Sequence, residues 1–86
     1  NVPNPFNPMT TIRYELPEAP RVSLKVFDVA GRLVAVLKDH ESESAGRHEV
    51  VWQGRDRSGR QAATGVYFYR LESPAFNQTR RMLLVK

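Results

Sequence analysis

Short runs in which apolar and polar residues alternate recur along the sequence, and turn-forming residues separate them. One run extends from Thr10 to Leu16, and another extends from Arg21 to Val29. Because successive side chains of a strand point to opposite faces, this period of two predicts strands that bury one face. No segment has the period of an amphipathic helix. The pattern therefore predicts an all-β fold.

The segment richest in large side chains begins at Gly65 and ends at Leu71. On a strand, Tyr67, Tyr69 and Leu71 share one face. Large rings contribute much of the buried surface of a small domain, so we expect this to be a central strand. Trp52 ends the strand predicted before it. Trp52, Gly65, Tyr67, Tyr69 and Leu71 are therefore the predicted structural core.

Three further strands are predicted from the remaining apolar runs. They are Leu33–Leu37, which follows a hairpin, Arg47–Trp52 and Phe76–Lys86. The polar stretch 38–46, between the first two, is expected to be a surface loop. With the two alternating runs and the Gly65 strand, this gives six to seven short strands at intervals of roughly 8–12 residues. Such spacing is typical of an antiparallel β-sandwich.

The length of 86 residues accommodates a single domain, 1–86. Residues 1–9 contain three prolines and are expected to form an extended lead-in, with Phe6 as the anchor that docks on the domain. The chain has no cysteine, and no apolar run approaches the ~20 residues of a membrane span. Because the first residues lack a signal-peptide pattern, we expect a segment of a longer protein.

The formal charge of +4 raises the question of nucleic-acid binding. The arginines are spread along the whole chain, which favours a solvated surface over a binding patch. Arg55, Arg57 and Arg60 do cluster, but their segment has no aromatic side chain on which bases could stack. We therefore expect no nucleic-acid partner.

Catalytic and metal-binding patterns are weak. The two histidines, His40 and His48, have no plausible nucleophile beside them, so we expect a protein that is not an enzyme. Asp56 and Ser58 have the spacing of calcium ligands, but two flanking arginines would repel the ion. A turn in which Asp56 binds its own backbone is the favoured interpretation, and no cofactor is expected.

The last segment combines two arginines, four apolar residues and Lys86. It is interpreted first as the strand that closes the sheet. A strand on the surface can also be bound by a receptor through strand addition or carboxylate capture, and this is the functional alternative.

Four motifs occur in order along the chain: Asn4–Pro8 with Thr10–Ile12, Val26–Arg32, Gly65–Leu71 and Arg81–Lys86. Together they resemble the type A C-terminal sorting domain of the bacterial type IX secretion system, and this resemblance spans essentially the whole chain. The segment that begins at Trp52 and runs on to Tyr67 is also similar to the Ig-like domain of flagellar hook-capping proteins.

The resemblance implies a seven-stranded immunoglobulin-like sandwich at the end of a large secreted protein. The domain would direct that parent chain through the periplasm and outer membrane to the cell surface, and secretion-machinery proteins would be its partners. By analogy, Arg81, Leu83, Val85 and Lys86 would carry the recognition signal. The alternative is a structural or adhesive Ig-like module that self-associates in an extracellular or flagellar-hook-type assembly.

Overall fold

Six segments form six antiparallel strands in the computed structural model, which describes residues 8–18 and 20–85. Most of the predicted lead-in, including Phe6, and the predicted recognition residue Lys86 lie outside the described residues. The strands are β1 (Thr10–Leu16), β2 (Arg21–Phe27), β3 (Leu33–Ser42), β4 (Gly46–Trp52), β5 (Gly65–Glu72) and β6 (Asn77–Leu84).

The strands form two sheets. One sheet has four strands in the order β3-β2-β5-β6, and the other consists of β1 and β4. β5 lies between β2 and β6, so the segment rich in aromatic residues occupies an interior position, as predicted. Residues 8–18 and 20–85 contain no helix, and therefore none long and apolar enough to cross a membrane. The predicted all-β sandwich is confirmed.

The core lies between the sheets and consists of the inward side chains that the alternation predicted. Trp52 of β4 is 2% exposed and meets Tyr67 of β5 edge to face, with ring centroids 5.0 Å apart. The Trp52 Nε1 donates to the Arg55 carbonyl at 3.0 Å, and the Tyr67 hydroxyl donates to the Ala63 carbonyl at 2.6 Å. Both rings therefore bury their apolar surface while their polar atoms are paired.

The other predicted core residues divide into two groups. Tyr69 and Leu71 are buried beside Tyr67. Gly65, in contrast, is exposed at the start of β5, and no atom lies within 4 Å of where a Cβ would be. Its φ of +146° is a conformation that side-chain-bearing residues rarely adopt. Gly65 thus serves the backbone, and its assignment to the buried core was wrong.

The loop predicted at 38–46 was wrong for residues 38–42, because β3 continues through Ser42; only 43–45 connect β3 to β4. Ten residues of β3 run beside the seven of β2, and three register shifts accommodate the difference. At the first shift, His40 has a φ of +49°, and its N–H donates to the Ser23 hydroxyl at 3.1 Å. Backbone pairing with β2 therefore overrides the polar composition of this segment.

Replacing Trp52 by alanine tests the contact between the sheets. We expect Trp52→Ala to lower the free energy of unfolding by about 3–5 kcal/mol, because it removes a buried indole and leaves a cavity. The neighbouring Val51, 46% exposed, provides the control, and Val51→Ala should change the free energy by less than about 1 kcal/mol. Urea denaturation followed by fluorescence of tyrosine or by circular dichroism measures both; equal effects would contradict the assignment.

Candidate functional site

β6 is an edge strand with an unbroken hydrogen-bonding register. It pairs with β5 through eight consecutive residues, from Gly65 opposite Leu84 to Glu72 opposite Asn77. Among the described residues, no strand pairs with the other edge of β6. The one backbone bridge near this edge joins Val85, just beyond the strand, to Met9. A regular edge of this length presents alternating N–H and C=O groups to an additional strand.

The opposite edge of the same sheet is different. β3 carries all the extra residues at its three register shifts, and its second half is mostly charged. Bulges and charges of this kind prevent further strands from pairing. The four-stranded sheet therefore has one interrupted edge, β3, and one regular edge, β6.

The side chains in the second half of β6 alternate between the core and solvent. Leu84 is buried, whereas Leu83 and Val85 are each 57% exposed, and Arg81 is also exposed. Val66 lies opposite Leu83 in the register and is exposed too. These residues form an apolar strip beside an arginine. Three of the four predicted recognition residues thus lie on one accessible surface, and their role in recognition stays a prediction.

Charges on the neighbouring strands of this face are paired with each other. Lys25 Nζ lies 3.0 Å from Glu72 Oε1. The hydrogen bond from Lys25 is the main reason that the pKa of Glu72 is below its usual value. The Arg70 guanidinium lies 4.5 Å from the centroid of the Phe27 ring. Arg70 Nε is 2.7 Å from a Glu72 oxygen but is not aligned for a hydrogen bond. Arg81, in contrast, has no ion-pair partner among the residues that the structure describes.

A groove of about 710 Å³ opens on the other side of β6, between its first half and the two-stranded sheet. Arginine, tyrosine and glutamate side chains predominate in its lining. The lining residues are Arg13, Tyr14, Glu15, Arg47, His48, Glu49, Tyr69, Gln78 and Arg80.

A half-buried cluster lies beside this groove. The Tyr14 hydroxyl donates to Glu43, Lys38 Nζ lies 3.4 Å from the same carboxylate, and the Tyr14 and His48 rings stack with centroids 5.3 Å apart. Burial, then the bond to Glu43, raises the pKa of Tyr14. Burial opposes ionisation of Glu43, but the bonds from Tyr14 and Lys38 outweigh it and lower its pKa. The cluster thus joins β1, β3 and β4 through Glu43, which lies in the connection between β3 and β4.

Two turns at one end of the sandwich have the same construction. Asp28–Arg32 and Asp56–Arg60 both read Asp-x-x-Gly-Arg, and in each the aspartate accepts backbone N–H groups two and four residues later at 2.9–3.0 Å. The predicted Asp56 turn is confirmed. The two aspartates line a cavity of about 280 Å³. Sequence reasoning missed this repeat, although the shared five-residue pattern could have indicated it.

The aspartates of these turns are engaged within the turns themselves. In each turn the aspartate Oδ1 accepts the backbone N–H groups of its own turn, and Asp28 Oδ2 accepts from Arg32 Nε at 3.0 Å. In residues 8–18 and 20–85 no three histidine, cysteine or carboxylate groups converge on a metal position. Arg55, Arg57 and Arg60 are exposed around the second turn. Arg55 donates to the Gly59 carbonyl at 3.1 Å, so it helps to close the turn.

The paired carboxylates predict how stability depends on pH. Hydrogen bonds, chiefly from the Arg32 backbone to Asp28 and from Ser58 to Asp56, hold the pKa of both groups below the usual value, and the pKa values of Glu43 and Glu72 are also lowered. A lowered folded pKa stabilises the protein above the unfolded pKa, about 4, and this stabilisation is lost as the pH falls further.

We therefore expect the urea midpoint to be constant between about pH 7 and 5 and to fall below about pH 4.5. The double variant Asp28→Asn with Asp56→Asn should have a lower midpoint at pH 7 and a shallower decline, because two of the titrating groups are gone. Asp39→Asn is the control, since Asp39 is an exposed aspartate outside both turns. A decline as steep as that of the unmodified protein would show that the turns do not contribute.

Comparisons with known proteins agree with this fold. FlgD from P. aeruginosa superposes with a TM-score of 0.70 at 22% identity; the match covers 88% of this chain and 58% of that chain. PorZ, described as an essential surface component of the type IX secretion system of Porphyromonas gingivalis, superposes with a TM-score of 0.57 at 21% identity, covering 88% of this chain and 11% of PorZ. No curated protein shows a significant match.

Likenesses at these identities show the fold, and they confirm the predicted immunoglobulin-like sandwich. The chain spans less than two thirds of either solved protein. A family model described as the FlgD Ig-like domain matches residues 8–75, which include β1 to β5 and end just before β6. This match extends over well more than half of the sequence, and the chain therefore belongs to the FlgD Ig-like domain family.

Proposed function

We propose that this domain is a non-catalytic docking module that directs a larger parent protein through the outer membrane to the cell surface. A protein of the secretion machinery binds it along the edge of β6. The observation that supports the proposal is the unbroken eight-residue register of β6, combined with the exposed side chains of Arg81, Leu83 and Val85.

Strand addition is the binding mode that this edge fits best. The free N–H and C=O groups of β6 would supply hydrogen bonds to an extended segment of the receptor, and the side chains would supply specificity. Leu83 and Val85 offer apolar surface that a receptor would remove from water, with a gain of about 25 cal/mol for each Å². Arg81 adds a charge next to this apolar strip.

The family and the similar structures are consistent with a role in assembly rather than in catalysis. The domain belongs to a family named for an Ig-like domain, and one similar structure, PorZ, is described as a type IX secretion component. Neither comparison concerns the parent chain. Secretion to the cell surface, the receptor and the absence of a cofactor are therefore parts of the proposal.

A structural Ig-like module is the second candidate. The same β6 edge would then pair with β6 of another copy in an extracellular or hook-type assembly, and the exposed strip of Val66, Leu83 and Val85 favours such contact as well. Sedimentation of the purified domain over a range of concentrations distinguishes the two. A monomer at high concentration would exclude this candidate.

The sorting proposal predicts that surface changes on β6 reduce export of the parent protein without unfolding the domain. In a bacterium with a type IX system, the double variant Arg81→Glu with Leu83→Glu should lower the exported fraction by about tenfold, which corresponds to 1.4 kcal/mol of lost receptor binding. Both side chains point away from the core, so the melting temperature should be nearly unchanged.

Val36 provides the matched control because it is 42% exposed on β3, the other edge of the same sheet. Val36→Glu should leave export at the level of the unmodified protein. Normal export of the β6 variant would refute the sorting role, and an equal loss in both variants would show that the effect is not specific to β6.

A further inference from the structure

Arg80 occupies a position on β6 that the alternation assigns to the inner face. It shares this face with Met82, which is half-buried, and with Leu84, which is fully buried. Arg80 nevertheless remains exposed, because it lines the groove between β6 and the two-stranded sheet. The inner face of β6 therefore changes from apolar to cationic along the strand.

The groove begins where β1 and β6 separate. Met9, just before β1, bridges Val85, just after β6, so the two strands are joined at one end. Farther along, the two strands no longer pair, and the groove lies between them. It is lined there by Tyr14 of β1 and by Gln78 and Arg80 of β6. An extended segment added to the edge of β6 would direct every second side chain toward this space.

The charges in the groove are only partly balanced. Arg13 Nε lies 2.8 Å from Glu49 Oε2, so these two side chains form an ion pair. Glu15 and Arg47 are opposite each other in the backbone register of β1 and β4. Arg80 has no carboxylate within ion-pair distance among the residues that the structure describes. Arg47 forms no ion pair with the described residues either, but its register partner is Glu15, whereas the register partner of Arg80 is Tyr69. Arg80 is therefore the groove arginine without an acidic residue opposite it.

An inward-pointing charge on an edge strand discourages indiscriminate pairing, because an incoming apolar or cationic side chain would be forced against it. An incoming carboxylate would instead form a charge-assisted hydrogen bond in a partly enclosed space. We propose that Arg80 makes the β6 edge selective for an extended partner segment with an aspartate or glutamate that enters the groove opposite Arg80. The inference rests on the proposed docking at β6 and names the chemistry of the partner.

Paired peptides test the selectivity. The two probes are octapeptides of alternating threonine and valine that carry either glutamate or glutamine at one central position. Amide chemical shifts of Asn77–Leu84 in the isotopically labelled domain report binding even when it is weak. At low salt, we expect the glutamate peptide to bind with a Kd about tenfold lower than that of the glutamine peptide.

Two substitutions of Arg80 and one control complete the design. Arg80→Gln should make the two Kd values equal, and Arg80→Glu should favour a peptide with lysine at the central position. Arg57→Gln should keep the tenfold difference, because Arg57 is an exposed arginine in a turn outside the groove. The spectrum of each variant also shows whether the fold is retained. If a variant is unfolded, Arg80→Lys is used in its place. Because Arg80→Lys keeps the positive charge, it should retain a preference for the glutamate peptide.

Equal Kd values for the glutamate and glutamine peptides, or an absence of shifts along β6, would overturn the selectivity. If the peptides are not discriminated while the β6 surface variant still loses export, only the role of Arg80 is wrong. If the peptides are discriminated but export is normal, the edge is selective and the sorting function is wrong.

Discussion

The edge-to-face contact between Trp52 and Tyr67 is the interaction on which the arrangement of the two sheets depends. A two-stranded sheet is marginally stable by itself, so β1 and β4 need the apolar face of the larger sheet. Trp52 is the largest fully buried side chain and provides much of that contact. Leu84, at the end of β6, is buried close to Gly54, which follows β4, whereas Arg80 is left uncovered beside the second sheet. The groove follows from this incomplete coverage.

Alternation was sufficient to predict most strands, because a half-buried strand leaves a period of two in its sequence. β1 was predicted with its observed bounds, from Thr10 to Leu16, and the interior position of β5 followed from its aromatic residues. β3 could not be predicted in full. Its second half is polar, and pairing with β2 holds it extended. Such pairing between distant segments has no signature in the local sequence.

The candidate site was predicted in part. The family resemblance, and not the residue pattern, indicated Arg81, Leu83 and Val85, and the structure places all three on the exposed side of the last strand. Arg80 was overlooked, although the alternation places it on the same strand face as Met82 and Leu84, where it interrupts an apolar inner face. The groove itself depends on how two sheets separate, which a one-dimensional pattern does not contain. Hydrophobic periodicity thus locates surfaces better than it locates the spaces between them.

The three register shifts in β3 also limit how copies of the domain could associate. An assembly that grows by edge pairing needs two compatible edges on each sheet, one to receive and one to offer. Among the described strands of the four-stranded sheet, only β6 provides such an edge, since the register of β3 is interrupted. Two copies joined through β6 would leave an irregular strand at each outer end. Pairing through this sheet therefore closes at two molecules and does not continue into a fibre.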